Sequence, residues 1–196
     1  MKKIFMVATL LFATTIAFSQ NYATRTAHIN VKSANNVQNI VADNYQVACQ
    51  LNAQTGQFKI IALIKSFEYQ IGAVNRAMNT REINVTNYPK ITYDGTVTNL
   101  DQINFSKPGT YPIKFKGMLY IWDEKRVTDA NGTLTVLSDG TIEAKSNFNI
   151  AIEEVNTQKI DKIMREKLPV SLNLKPNMLG ISKNIQIKAD AKLKKQ

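Results

Sequence analysis

TIEAKSNFNIAI, residues 141–152, puts Ile142, Ala144, Phe148, Ile150 and Ile152 on one side of an extended chain and Glu143, Lys145, Asn147 and Asn149 on the other. Successive side chains of a strand point to opposite faces, so a period of two describes a strand with one face buried and one face wet. Residues 57–66 repeat the pattern, with Phe58, Ile60, Ala62 and Ile64 opposite Lys59 and Lys65. Residues 111–121 set Ile113, Phe115, Leu119 and Ile121 against Lys114 and Lys116. Near the end, Ile185, Ile187, Ala189, Ala191 and Leu193 alternate with Gln186, Lys188, Asp190 and Lys192. One-sided strands of this kind are the habit of antiparallel sheets.

The punctuation agrees. Gln54-Thr55-Gly56 and Asp139-Gly140 each separate two strand runs and read as hairpin turns. Lys107-Pro108-Gly109 breaks the chain before Tyr111. Asp94-Gly95 and Asn131-Gly132 lie inside longer runs and are read as bulges that bend a strand, because a sheet that closes on itself needs such bends. Strands are expected at about 24–32, 44–52, 57–66, 90–99, 110–121, 126–137, 141–153 and 184–194. Two segments change period: Ile71, Val74 and Met78 within 70–80, and Ile160, Ile163, Met164 and Leu168 within 157–168, have helical spacing. About eight amphipathic strands in one domain give a mainly all-β fold, either a closed barrel or a sandwich, with one or two short helices.

The first residues form a different unit. Met1-Lys2-Lys3 is a positive start, Ile4–Phe18 is an uncharged and largely apolar run, and Ala17-Phe18-Ser19 offers small residues for cleavage. That is the make-up of a secretory signal peptide covering residues 1–19, shorter than the roughly 20 apolar residues of a membrane-spanning helix. Residues 20–196 then form a single domain, periplasmic or secreted, with no later apolar run long enough to insert stably in a membrane.

Charge and side-chain chemistry narrow the function. The chain carries a formal net charge of +10, but its lysines are scattered singly along strand-like runs, and only Lys192-Leu193-Lys194-Lys195 clusters. Without a recognition helix or an aromatic-studded basic face, nucleic acid is not the expected partner. One His and one Cys, His28 and Cys49, cannot build a zinc site, which needs three or four ligands. Cys49 reads as a small, partly buried strand residue. No nucleophile-elbow motif and no phosphate-cradling glycine loop occurs. Catalytic residues and metal ligands are therefore not expected, although two carboxylates can converge from anywhere in a fold. What remains is an apolar interior, either filled by its own side chains or hollow enough for one ligand.

A resemblance to a known family favours the second. Ile64-Lys65-Ser66-Phe67-Glu68-Tyr69, a helical crossover and Tyr88-Pro89-Lys90-Ile91-Thr92-Tyr93 resemble the signature of the YceI-like family. Gly117-Met118-Leu119-Tyr120-Ile121, the long strand after Asp139-Gly140 and the final run at 185–191 fit as well, so the likeness covers about residues 24–194. The chain departs from the family pattern at Ile121-Trp122-Asp123-Glu124 and at Ala77–Glu82. The resemblance implies an eight-stranded, antiparallel, lipocalin-like barrel that binds a polyisoprenoid, an isoprenoid quinone or a similar lipid, and it implies no enzymatic activity. No cofactor is expected beyond such a bound lipid. On this reading the inner wall is Phe58, Ile60, Ile64, Ile91, Tyr93, Val97, Ile113, Phe115, Leu119, Ile142, Phe148 and Ile150, with Arg76 or Arg81 placed to meet a head group. A filled barrel acting as an envelope stress or interaction protein is the alternative. The oligomeric state is left open, a homodimer included.

Overall fold

Alternating sequence becomes nine strands in the computed structural model, which describes residues 21–33, 39–78, 89–121, 124–151 and 184–196. They are β1 (Asn21–Ser33), β2 (Ile40–Asn52), β3 (Gln57–Leu63), β4 (Glu68–Tyr69), β5 (Lys90–Val97), β6 (Gly109–Ile121), β7 (Glu124–Val136), β8 (Ile142–Ala151) and β9 (Asn184–Lys195). All pair antiparallel, in the order β1-β9-β8-β7-β6-β5-β3-β2, and β1 pairs with β2 to close an eight-stranded barrel. β4 adds two residues to the edge of β2. Of the two architectures the sequence allowed, the molecule adopts the barrel.

The expected turns are present. Gly56 and Gly140 have φ of 70° and 78°, the left-handed conformation that glycine adopts without steric cost. The Asn52 side chain accepts from the amides of Gln54 and Thr55, and Asp139 accepts from the amide of Thr141, so each turn is tied by an Asx-type bond. The run ending at residue 66 stops being a strand earlier, at Leu63, and Ile64–Ser66 forms a turn of 3₁₀-helix. The first expected helix is α1 (Gly72–Met78), which buries Val74 and accepts the Tyr69 amide on the Asn75 side chain. The second, at 157–168, lies outside the described residues, as do the leader and Arg81.

The two expected bulges are not there. Asp94-Gly95 and Asn131-Gly132 sit in unbroken ladders, opposite Lys59-Phe58 and Lys114-Ile113. The register shifts fall in β1 and β2 instead, between Thr24 and Ala27 and between Ala27 and Ile29. Gly132 answers to a close backbone approach, since a Cβ there would stand 2.4 Å from the Lys145 carbonyl oxygen, and Gly95 answers to side-chain space. A Cβ on Gly95 would stand 2.5 Å from the Phe58 ring, and one on the directly paired Gly117 would stand 2.5 Å from the Asp94 carbonyl oxygen and 2.7 Å from the Tyr93 ring. The missing side chains make room for aromatic rings that lie flat over the sheet, a device that supports strongly curved strands.

β7 and β8 pair only over Gly132–Val136 and Ile142–Ser146. Beyond that rung, among the described residues, Glu124–Asn131 pair with β6 and Asn147–Ala151 with β9. The Ser146 hydroxyl closes the last rung by donating to the Asn131 carbonyl at 2.7 Å.

One end of the barrel, here the lower end, is plugged by the β5–β6 connection. The Asn99 carboxamide fixes that connection to β6 by accepting from the Lys114 amide at 2.8 Å and donating to the Pro112 carbonyl at 3.0 Å. Ile103 is buried there, and Phe105 stacks on Tyr22. Leu134, Ile142 and Leu193, each at most 1% exposed, complete the floor. Burying each such side chain contributes about 1.5–3 kcal/mol.

Candidate functional site: an apolar cavity in the barrel

By strand alternation the barrel turns inward Phe58, Ile60 and Ala62 of β3, Ile91, Tyr93 and Val97 of β5, and Ile113, Phe115, Leu119 and Ile121 of β6. From β8 and β9 come Ala144, Phe148, Ile150, Ile185, Ile187, Ala189, Ala191 and Leu193. These side chains do not meet in the middle. They surround a cavity of about 180 Å³. An apolar cavity of about 150 Å³ elsewhere stays dry and takes up benzene, so this space has the size and lining of a site for an apolar group.

Every wall residue expected from the sequence except Ile64 and Ile142 borders this cavity. Ile64 is buried in the 3₁₀ turn where β3 ends, and Ile142 is fully buried in the floor opposite Val136 and Leu193. Arg76 is exposed on α1. The sequence reading omitted Ala27, Ile29 and Val31 of β1 and Val47, Cys49 and Leu51 of β2, the apolar contribution of those two strands. Val47-x-Cys49-x-Leu51 does alternate, but the register shift after Asn44 keeps the pattern from extending through β2.

Aromatic rings set the shape of the interior. Phe115 presents edge-to-face contacts to Phe58, Tyr93 and Phe148, with centroids 5.6, 6.1 and 6.0 Å away. Edge-to-face pairs of this kind contribute roughly 0.5–1.5 kcal/mol beyond the area they bury. Tyr93 crosses Gly117 and donates its hydroxyl proton to the Thr128 carbonyl on β7 at 3.1 Å. Burial, with the Asp129 charge second, pushes its phenol up to about 12. Burial alone pushes the Cys49 thiol up to about 12, so the one cysteine is a neutral wall residue rather than a nucleophile.

Polar groups are few and already engaged. Ser146 bonds the Asn131 carbonyl, as described. His28, among the residues that border the cavity, stacks on Tyr45 at 4.4 Å and contacts Asp43 at 2.8 Å. At the upper end of β7, Glu124 and Arg126 lie on the inner face opposite Ile121 and Leu119 and form an ion pair at 3.0 Å. Nothing in the sequence marked that pair, since β7 lacks the apolar alternation of its neighbours. Among the described residues, no group of three or more His, Cys, Asp or Glu side chains is placed to hold a metal, and no pair of carboxylates faces the cavity. No helix among them is long and apolar enough to cross a membrane.

Solved structures share this architecture. A polyisoprenoid-binding domain from Saccharophagus degradans, implicated in plant cell wall breakdown, superposes with a TM-score of 0.71 at 12% identity, covering 91% of this chain and 99% of that one. BcnA of Burkholderia cenocepacia gives a TM-score of 0.53 at 10% identity, over 86% of this chain and 96% of that one. A YceI protein of Campylobacter jejuni stands further off, at 12% identity and a TM-score of 0.48 over 83% and 86% of the two chains. No protein-family model matches the chain, and no curated protein matches it in sequence. At these identities the likeness is one of fold, and the fold is the lipocalin-like barrel implied by the YceI-like resemblance.

Proposed function

We propose that this protein binds a long apolar lipid, a polyisoprenoid or isoprenoid quinone in kind, inside the barrel, and sequesters or carries it outside the cytoplasm. The observation that carries the reading is the cavity itself. A wall of aliphatic and aromatic side chains around about 180 Å³ offers an apolar chain a water-free environment and offers a polar ligand nothing to bond. Burial of the ligand's surface supplies the affinity, at roughly 25 cal/mol per Å² before association costs are subtracted. The polyisoprenoid-binding domain of the same fold supports this choice of ligand class. A hollow interior argues against a filled barrel acting only through its surface.

The wall residues of this reading are Phe58, Ile60, Ile91, Tyr93, Val97, Ile113, Phe115, Leu119, Phe148 and Ile150, with Ile64 and Ile142 supporting them from the upper turn and the floor. Delivery to the periplasm or medium follows from the signal-like residues 1–19.

Organic extraction of the purified protein followed by mass spectrometry tests the proposal. A co-purifying isoprenoid, or saturable uptake of an added polyprenyl compound, is expected. Repeated absence of both would sink it.

A further inference from the structure

The outer wall is apolar where β3, β5, β6 and β7 reach the upper end. Register places Leu63 beside Lys90, Ile61 beside Thr92, Thr92 beside Tyr120, Tyr120 beside Lys125, and Met118 beside Val127. These outward side chains form one continuous patch. Leu63, Tyr120 and Val127 are 37%, 36% and 63% exposed, which accounts for three of the four large apolar side chains most open to solvent among the described residues. Val127 lies on the part of β7 beyond Gly132, where pairing with β8 has ended.

Asp94, paired with Met118, and Asp129, two residues after Val127, border the patch, but the charges there that meet no opposite charge among the described residues are of one sign. Lower on the same wall, the acids Asp94 and Asp129 are matched by Lys59 at 3.0 Å and Lys116 at 3.8 Å. At the patch, Lys125 sits over the Tyr120 ring at 5.9 Å and Lys90 flanks Leu63, and neither meets an acid among the described residues. An amphipathic Tyr, exposed aliphatics and lysines whose stems lie along apolar surface form the composition of a membrane–water interface.

We propose that this Leu63–Tyr120–Val127 face docks on an anionic lipid bilayer, with Val127, Tyr120 and Leu63 entering the head-group region and Lys90 and Lys125 pairing with lipid phosphates. A second copy of the chain fits poorly, because a symmetric contact would bring four lysines of two strongly cationic molecules together. A bilayer meets both the charge and the apolar surface. The inference leans on the lipid-carrier reading only for its biological sense, since docking beside the cavity's upper end would bring the barrel to the place where its cargo resides.

Flotation of the full-length mature protein with vesicles tests it, using phosphatidylcholine alone and phosphatidylcholine with about one third phosphatidylglycerol. Binding to the anionic vesicles that weakens as salt rises is expected. At low salt, Lys90→Gln with Lys125→Gln should lower that binding roughly thirtyfold, at about 1 kcal/mol per lysine near the surface. Val127→Ser should lower it several-fold, whereas Lys194→Gln with Lys195→Gln at the lower end should change it by less than about twofold. Circular dichroism establishes that each variant is folded. Equal losses from the two lysine pairs, or no binding of the parent protein to anionic vesicles, would overturn the proposal. A concentration-dependent dimer broken by Val127→Ser would overturn it in favour of self-association. Empty vesicles require no cargo, so failure here leaves the cavity reading standing, and failed extraction leaves docking standing.

Discussion

Tyr93 on β5 and Thr128 on β7 are joined across the whole width of β6, the phenol donating to the carbonyl at 3.1 Å. The bond spans that distance because Gly95 and Gly117 have no side chain where the ring lies. It satisfies a backbone acceptor on the part of β7 that has no β8 partner, where an unpaired buried carbonyl would be costly.

Tyr93→Phe keeps the ring and removes the bond. The expected loss is about 1–3 kcal/mol of unfolding free energy, because the Thr128 carbonyl stays buried without its donor. Urea denaturation monitored by circular dichroism measures it, and an unchanged midpoint would refute the account of the bond.

Gly117→Ala and Gly140→Ala separate two uses of glycine. At Gly117 a methyl group meets the Asp94 carbonyl and the Tyr93 ring, and β6 must shift, for a cost of about 1–3 kcal/mol or more. At Gly140 nothing stands within 4 Å and only the positive φ is penalised, at roughly 1 kcal/mol. Thermal melts of the two variants should rank in that order.

Ala144 and Ala191 face each other across the β8–β9 ladder on the cavity wall. Leu at both positions grows into empty space instead of a packed core, so stability should hold within about 1.5 kcal/mol while lipid recovered by extraction falls sharply. Retained lipid at full level would place the cargo elsewhere.

Alkaline pH should loosen the fold. Cys49 rises from 9.0 to about 12 and Tyr93 from 10.0 to about 12 on folding. Below about pH 9 both groups are protonated in the folded and unfolded chain and contribute no pH dependence. Between about pH 9 and 12 the unfolded chain releases protons that the folded one retains, so stability falls as pH rises. Cys49→Ala should flatten the part of that fall that begins near pH 9, by up to about 1.4 kcal/mol per pH unit. Equilibrium unfolding across that range reads the slope.

Much of this was legible before any coordinates. Alternation fixes which face of β3, β6, β8 and β9 is apolar, and Gln54–Gly56 and Asp139–Gly140 fix two hairpins, because both signals are local. Closure was not local: barrel and sandwich share the same alternation, and only the pairing of β1 with both β2 and β9 separates them. Gly95 and Gly132 were misread as bulges because Asp-Gly and Asn-Gly suggest bends. The Phe58 ring nearest Gly95 and the Tyr93 ring over Gly117 each sit on a neighbouring strand, which no sequence window reveals. Hollowness depends on how far side chains from eight directions fall short of meeting, a quantity that no strand carries alone.

The position of β9 between β1 and β8 has a kinetic consequence. The last strand of the chain completes the ring, so a nascent or truncated polypeptide ending before Asn184 has two raw sheet edges and no interior to shelter a hydrocarbon chain. Such long-range closure is the slow kind. A lipid of the proposed kind would then find a closed interior only after β9 has paired on both sides, and changes in Asn184–Lys195 would slow refolding as well as lower stability.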